Sequence, residues 1–246
     1  MVPLAVQAAP KVVTIAFGES MPPYVIQESN SGLEMDIVRA ALKAQGYDLT
    51  PVYYSQARLR LGLRSSRVDG IATVNDVPGN LSDIYIRYED VAITLAERHL
   101  LLRSIDDLAH YRVLGFPQAA HYLGKRYYAM AQRNPNYSEP PNQLDQNRLL
   151  YHNAADVVVA DRRIYHWMDR QLQQVYNERP RPVEEHALFM RVPYRVVFRS
   201  ATVRDAFNSL AHHTEKRPVR PNPEPLPVMP SHSAVTIRPT PALPSI

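Results

Sequence analysis

The 246-residue chain contains no cysteine. Disulfides, thiol catalysis and cysteine-based zinc sites are therefore excluded, although the absence is compatible with an oxidising compartment. Glycine is scarce: there are eight, all at or before Gly124. No G-x-G-x-x-G and no P-loop is present, so the backbone cradles that hold nucleotide phosphates have no counterpart. There is no G-x-S-x-G nucleophile elbow and no H-E-x-x-H metal helix. No apolar run reaches the ~18 residues of a membrane-spanning helix. Neither sign of charge dominates. Lys and Arg number 28 against 24 Asp and Glu, a balance that argues against nucleic acid as the main partner. Arg58, Arg60, Arg64 and Arg67 cluster as a solvated face would.

What is present is unevenly spread. Of 22 prolines, nine fall in the last 30 residues. From 214 onward they forbid helix and most sheet pairing, which predicts a disordered, polyproline-like tail over 214–246. At the other end, residues 1–10 read as the remnant of a secretory signal, with Val6 and Ala8 placed as a signal peptidase requires. Between them, strand and helix patterns alternate. Lys11–Phe17 is a β-branched strand. Leu33, Ile37, Val38, Ala41 and Leu42 share one helical face, with Glu34 and Asp36 suited to that helix's N-terminus. Leu49–Tyr54 returns to strand, completing a βαβ unit. Residues 58–64 are placed as a helix, Gly70–Val74 as a strand, and Val91–Thr94 with Leu100–Leu102 as an extended segment. Arg112–Phe116 is a strand, 121–133 and 143–151 are helices, and Asp156–Ala160 is a buried strand followed by a helix that Asp161 opens. Residues 134–142 and 177–183 are loops. Tyr194–Phe198 is a strand and Ser200 caps a last helix. His212, His213 and Glu215 form no metal site, because adjacent histidines face different sides of a helix. No metal or cofactor is expected.

Several segments resemble one family. Thr14–Tyr24 (T-I-A-F-G-E-S-M-P-P-Y), Gly32–Leu42 (G-L-E-M-D-I-V-R-A-A-L) and Val68-Asp69-Gly70 are similar to motifs of solute-binding protein family 3, the polar-amino-acid type serving ABC importers. So are Ile84–Tyr88, Val91–Ile93, Asp107–Val113, Ala154–Asp161 and Phe198–Asn208. The likeness spans about residues 11 to 211. It implies an α/β, two-lobed fold of the periplasmic-binding-protein type II, each lobe a mainly parallel sheet flanked by helices. Lobe one would comprise 11–95 with 190–213, and lobe two 96–189. It further implies a periplasmic monomer that captures a small polar solute in the interlobe cleft and passes it to ABC importer membrane subunits. Two readings on the same fold stand beside this one. One is an enzyme resembling cyclohexadienyl dehydratases, with Glu19 and Asp161 as its carboxylates; the other is a ligand-sensing module.

In two facing α/β sheets, ligands bind beyond the carboxyl ends of the strands. The residues there are Glu19 and Tyr24 after the first strand, Asn75 and Asp76 after the Gly70 strand, and Gln118 and Asp161 in lobe two. Tyr24 either stacks on a ligand or packs its loop. Asp161 either takes a ligand amine or caps the helix behind it. Gln118–Ala120 precede a helix whose free N–H groups suit an anion. Arg58 matches an arginine of one branch of the family, or is a solvated helix residue. One departure bears on the ligand. Amino-acid binders of the family carry a carboxylate-clamping arginine after the Gly70-type strand, a task its fork suits. Here Thr73-Val74-Asn75-Asp76 stands in that place.

Overall fold

A computed structural model describes residues 11–59, 61–64, 67–75 and 77–214. The expected signal remnant, the tail beyond Thr214 and Asp76 lie outside the described residues.

The elements follow in chain order as β1 (Lys11–Phe17), α1 (Leu33–Lys43), β2 (Tyr47–Tyr53), α2 (Gln56–Leu59), β3 (Gly70–Val74), β4 (Asn80–Leu81), β5 (Ile86–Tyr88) and β6 (Asp90–Leu95). Next come β7 (Val113–Gly115), α3 (Ala119–Tyr122), α4 (Lys125–Arg133), β8 (Tyr137–Ser138), α5 (Gln143–Tyr151), β9 (Val157–Asp161), α6 (Arg162–Tyr176), β10 (Val183–His186), β11 (Val192–Phe198) and α7 (Ala201–Thr214). They build two sheets. The first runs β2-β1-β3-β11-β4, with β5 also on β11. Its first three strands are parallel, and the returning β11 is antiparallel to β3. The second runs β10-β6-β9-β7-β8, with β9, β7 and β8 parallel and β6 antiparallel to β9.

One boundary is corrected. Residues 91–95 were expected to close lobe one, yet β6 pairs with β9 and β10 in the second sheet. The reason is burial. Val91 to Leu95 are buried on both sides of the strand, so β6 needs a neighbour on each edge and a helix layer on each face. The chain therefore crosses between Tyr88 and Asp90, and returns between His186 and Val192.

Each sheet buries its own core. In the first, α1 turns Met35, Val38 and Leu42 onto β1, where they meet Ile15, Phe17 and Phe207 of α7. In the second, Val158 and Ala160 face α5 and α6, while Val157 and Val159 face Tyr127 and Met130 of α4. This is the alternation that a two-faced strand requires. Ile164 of α6 packs into the first core as well, so the two lobes share an apolar contact.

Three expected elements differ. The 121–133 helix is split, because Gly124 sits at φ +88° between α3 and α4. The 58–64 helix survives only as α2 and a single 3-10 turn at Gly62–Arg64, where Leu63 leaves helical dihedrals. Leu100–Leu102 pairs with no strand; Leu102 drops into the core while Leu101 is exposed.

The second sheet is tied at its start by charge. Asp156 accepts hydrogen bonds from the backbone N–H, Nε and Nη2 of Arg112, and Arg98 lies 3.0 Å away. The Arg112 guanidinium holds the Asp156 carboxyl down at about 2. A lowered carboxylate pKa stabilises the fold above the unfolded-state value and loses that contribution as pH falls toward 2. Asp156→Ala should cost about 2 kcal/mol at neutral pH and remove the part of acid unfolding that falls between about pH 4 and 2. Denaturant melts at several pH values check both.

Candidate functional site

The site begins at the first turn of α1. Gly32 precedes that helix at φ +122°, and a Cβ there would lie 2.3 Å from the Tyr24 carbonyl oxygen. Only glycine allows this approach. The carbonyls of Pro23 and Tyr24 then accept the N–H groups of Leu33 and Glu34, at 2.9 and 3.1 Å. The helix start is capped by the loop after β1, and Tyr24 is fixed over the end of the sheet.

From there Tyr24 reaches the other lobe. Its ring stacks on Tyr88 at 3.9 Å between centroids and 16° between planes. Its hydroxyl donates to Asp161, 2.8 and 2.9 Å from the two carboxylate oxygens. Asp161 ends β9 and is 5 % exposed. It also accepts from the N–H groups of Arg163 and Ile164, capping α6, and from the N–H of Glu89 at the crossing. Of the two readings of Asp161, the structure shows the helix cap, and it adds a bond to the aromatic of the opposite lobe. Burial and the Asp161 charge push the Tyr24 phenol well above its usual range, so it remains a donor.

Beneath this pair lies a second carboxyl. Glu34 does not serve the helix N-terminus in solvent, as its position in the sequence implied. The N–H groups there are already taken by Pro23 and Tyr24, and the side chain turns inward. It is 1 % exposed and accepts from Thr73 Oγ1 at 2.6 Å and Tyr88 OH at 2.7 Å. Burial raises its pKa. Thr73 meets it from a left-handed backbone at φ +60°, where β11 shifts register against β3. A β-branched residue there carries strain of about 1 kcal/mol or more, which the bond to Glu34 offsets.

Asp90 completes the group. It opens β6 and is the register partner of Asp161. Burial, and then the Asp161 charge, push it up to about 7. A carboxyl whose folded pKa exceeds its unfolded value of ~3.8 stabilises the fold below that value and loses the contribution as pH rises to about 7. Asp90→Asn should therefore flatten the decline in stability between about pH 4 and 7. It should also raise stability at neutral pH by about 1–2 kcal/mol. Urea melts across that range read the slope directly.

The remaining expected residues are more scattered. Glu19 is exposed in the bend after β1. Arg58 is exposed on α2, its guanidinium 3.7 Å above the centroid of the Tyr54 ring. Asn75 follows β3, and its Oδ1 is buried without a hydrogen-bond partner. Gln118 is exposed and left-handed at φ +67°. Its N–H and that of Ala120 are filled from within the chain: both donate to Glu139, at 2.7 and 2.9 Å, and Tyr137 donates to the same carboxylate at 2.6 Å. The structure thus joins Tyr24 to Asp161 and adds Glu34, Tyr88, Asp90 and Glu139. Between the lobes lies a cavity of about 300 Å³ lined by Ser20, Met21 and Pro22, by Pro141–Gln143, and by Ile164 and Met168 of α6. Among the described residues no group of His, Asp and Glu is arranged to hold a metal ion. No helix among them is long and apolar enough to cross a membrane.

Two α/β units, crossed twice by the chain and closed on one another around these carboxyls, match solved structures across most of their length. A histidine-kinase sensor domain with similarity to periplasmic binding proteins superimposes with a TM-score of 0.57 at 14 % identity, over 85 % of this chain and 92 % of that one. The fold is the two-lobed periplasmic-binding-protein type II fold. The GluR0 ligand-binding core in complex with L-glutamate aligns at 0.57 and 16 % identity, over 82 % and 91 % of the two chains. An ancestral cationic amino-acid solute-binding protein aligns at 0.60 and 15 %, over 83 % and 90 %. At such identities the likeness establishes the fold alone. No protein-family model matches the sequence, and no curated protein matches it.

Proposed function

We propose that this protein is a periplasmic solute-binding protein. It captures a small polar solute, an amino acid or related compound, between its lobes and presents it to the membrane subunits of an ABC importer. Lobe one comprises 11–89 with 192–213, and lobe two 90–191. The protein acts as a monomer and closes like a hinge. The observation that carries this reading is the Tyr24–Asp161 bond. It spans the two lobes at the carboxyl ends of β1 and β9, where ligands of open α/β sheets bind. Tyr24, Asn75 and Asp161 are assigned to the solute, with the exposed Glu19, Arg58 and Gln118 at the rim; Asp76, outside the described residues, is assigned to the solute from the sequence alone. The known ligands of proteins with this fold fit the same class: L-glutamate in one and arginine in another.

A thermal-shift screen of the full chain against amino acids, amines and small organic acids tests the reading. A ligand that binds only the folded state raises Tm in proportion to the logarithm of its concentration. At least one solute should do so. A well-folded protein that none of them stabilises contradicts capture. The sensor reading shares the capture step and is favoured by the histidine-kinase sensor neighbour. Stimulation of an importer's ATPase by the loaded protein separates transport from sensing.

A further inference from the structure

We propose that the interlobe cavity holds an uncharged, apolar body of the solute, so that the protein selects amino-acid-like compounds with aliphatic or thioether side chains over those with charged ones. The inference rests on solute capture as read above and narrows it to a chemical class.

The cavity of about 300 Å³ is walled from both lobes. Met21 and Pro22 come from the loop after β1, Pro141 from the segment before α5, and Ile164 and Met168 from α6. The last two are four residues apart and so share one helix face. Met21 and Met168 pack against the apolar core that includes Ile164. The wall is thus the open edge of a packed core, continued across the two lobes. Among the described residues that line it, none is Asp, Glu, Lys, Arg or His. Its polar members are neutral and in part already bonded. Ser20 Oγ accepts the Gln27 N–H at 3.0 Å and donates to Glu28 at 3.2 Å. Asn142 Oδ1 accepts the Leu144 N–H at 3.0 Å, capping α5. The cavity adjoins the pair that spans the lobes: Ile164 donates its N–H to Asp161, and Pro22 stands two residues before Tyr24.

An apolar group placed there leaves water for contact with Met21, Ile164 and Met168, and each methylene so buried is worth about fourfold in affinity. Methionine is unbranched and polarisable, so two of them adapt to an aliphatic chain or a thioether. A charged side chain in the same place gives up its hydration and meets no opposite charge on the wall, which is the costly arrangement. The volume stands at the low end for ligand pockets, about 300 to 1,000 Å³, and suits one small molecule. The polar ends of the solute are left to Tyr24 and Asp161, as assigned above.

The test is calorimetric titration of the full chain at neutral pH with three pairs: norleucine and lysine, leucine and aspartate, methionine and methionine sulfoxide. Within each pair the α-amino and carboxylate groups are the same and only the side chain's polarity changes. The tightest binder of the six should be an apolar member, at least about tenfold tighter than its counterpart. Met168→Glu should weaken that solute at least about tenfold, and Met21→Gln, which keeps the length of the side chain, about threefold. Circular dichroism confirms that each variant is folded, and Met21→Gln decides if Met168→Glu is not. A polar or charged member binding tightest, or an apolar one within tenfold of its counterpart, overturns the inference while leaving solute capture standing. So does an apolar solute that both variants bind as the parent does. If none of the six binds but a solute of the wider screen does, the inference holds only where that solute has an uncharged apolar body and the same variants weaken it; otherwise it is overturned. A folded protein that binds none of the six and no solute of the wider screen overturns both.

Discussion

Asp161→Ala is expected to be the most damaging single substitution near the site, lowering stability by about 3–4 kcal/mol. Four donors converge on this carboxylate: Tyr24 OH and the N–H groups of Glu89, Arg163 and Ile164. Losing the cap of α6 costs about 1 kcal/mol. Leaving Tyr24 OH unpaired in a place 0 % exposed costs about 1–3 kcal/mol more. The Glu89 N–H, at the crossing between lobes, adds a smaller term because water reaches it. Asp161→Asn keeps one oxygen acceptor and should recover about half the loss. Urea denaturation of the three proteins measures the ladder. If Asp161→Ala melts within about 1 kcal/mol of the parent, the interlobe contact is not made in solution.

Glu34→Ala should cost about 3 kcal/mol, and through a different route. The carboxyl lies beneath the tyrosines and accepts from Thr73 and Tyr88. Its removal leaves the buried Tyr88 hydroxyl unpaired, leaves the Thr73 hydroxyl only its longer contact to Tyr85 OH at 3.4 Å, and opens a small void in a packed core. It also frees Thr73 from the contact that compensates its left-handed backbone, and Tyr88 from the contact that sets its ring under Tyr24. Glu34→Gln preserves size and one acceptor, and removes the cost of a buried charge. It should lie within about 1 kcal/mol of the parent, and above it as pH rises. That sign follows from the raised pKa of Glu34: an acid protonated more readily in the fold loses stability as pH climbs past its unfolded value. A Glu34→Gln protein less stable than Glu34→Ala would show that the carboxyl is not buried as described.

Much of the fold was legible because its elements are long and periodic. The strand at Lys11–Phe17 and the helix at Gln143–Tyr151 fall where the sequence placed them. The short strands β4, β8 and β10 gave no signal, since two to four residues cannot show a period. They exist because a neighbouring strand offers them partners. The same reasoning divides the site. Tyr24 and Asp161 follow strong strands, and position alone marked them. Asp90 was hidden because its meaning comes from the register that sets it opposite Asp161, which only the folded sheet supplies. Glu34 misled, because an acidic residue in the first turn of a helix is ordinarily solvated. Here the loop carbonyls had already taken the donors it would have served. Glu139, in a segment dense in asparagine and proline, carried no sequence signal at all.

The most direct test of capture between the lobes is calorimetric titration of the solute found in the thermal-shift screen, against the full chain and against Tyr24→Ala. One-to-one binding, weakened at least about tenfold by Tyr24→Ala in a protein still folded by circular dichroism, is the expected result. Equal affinity in the two proteins would place the solute elsewhere and contradict the interlobe site.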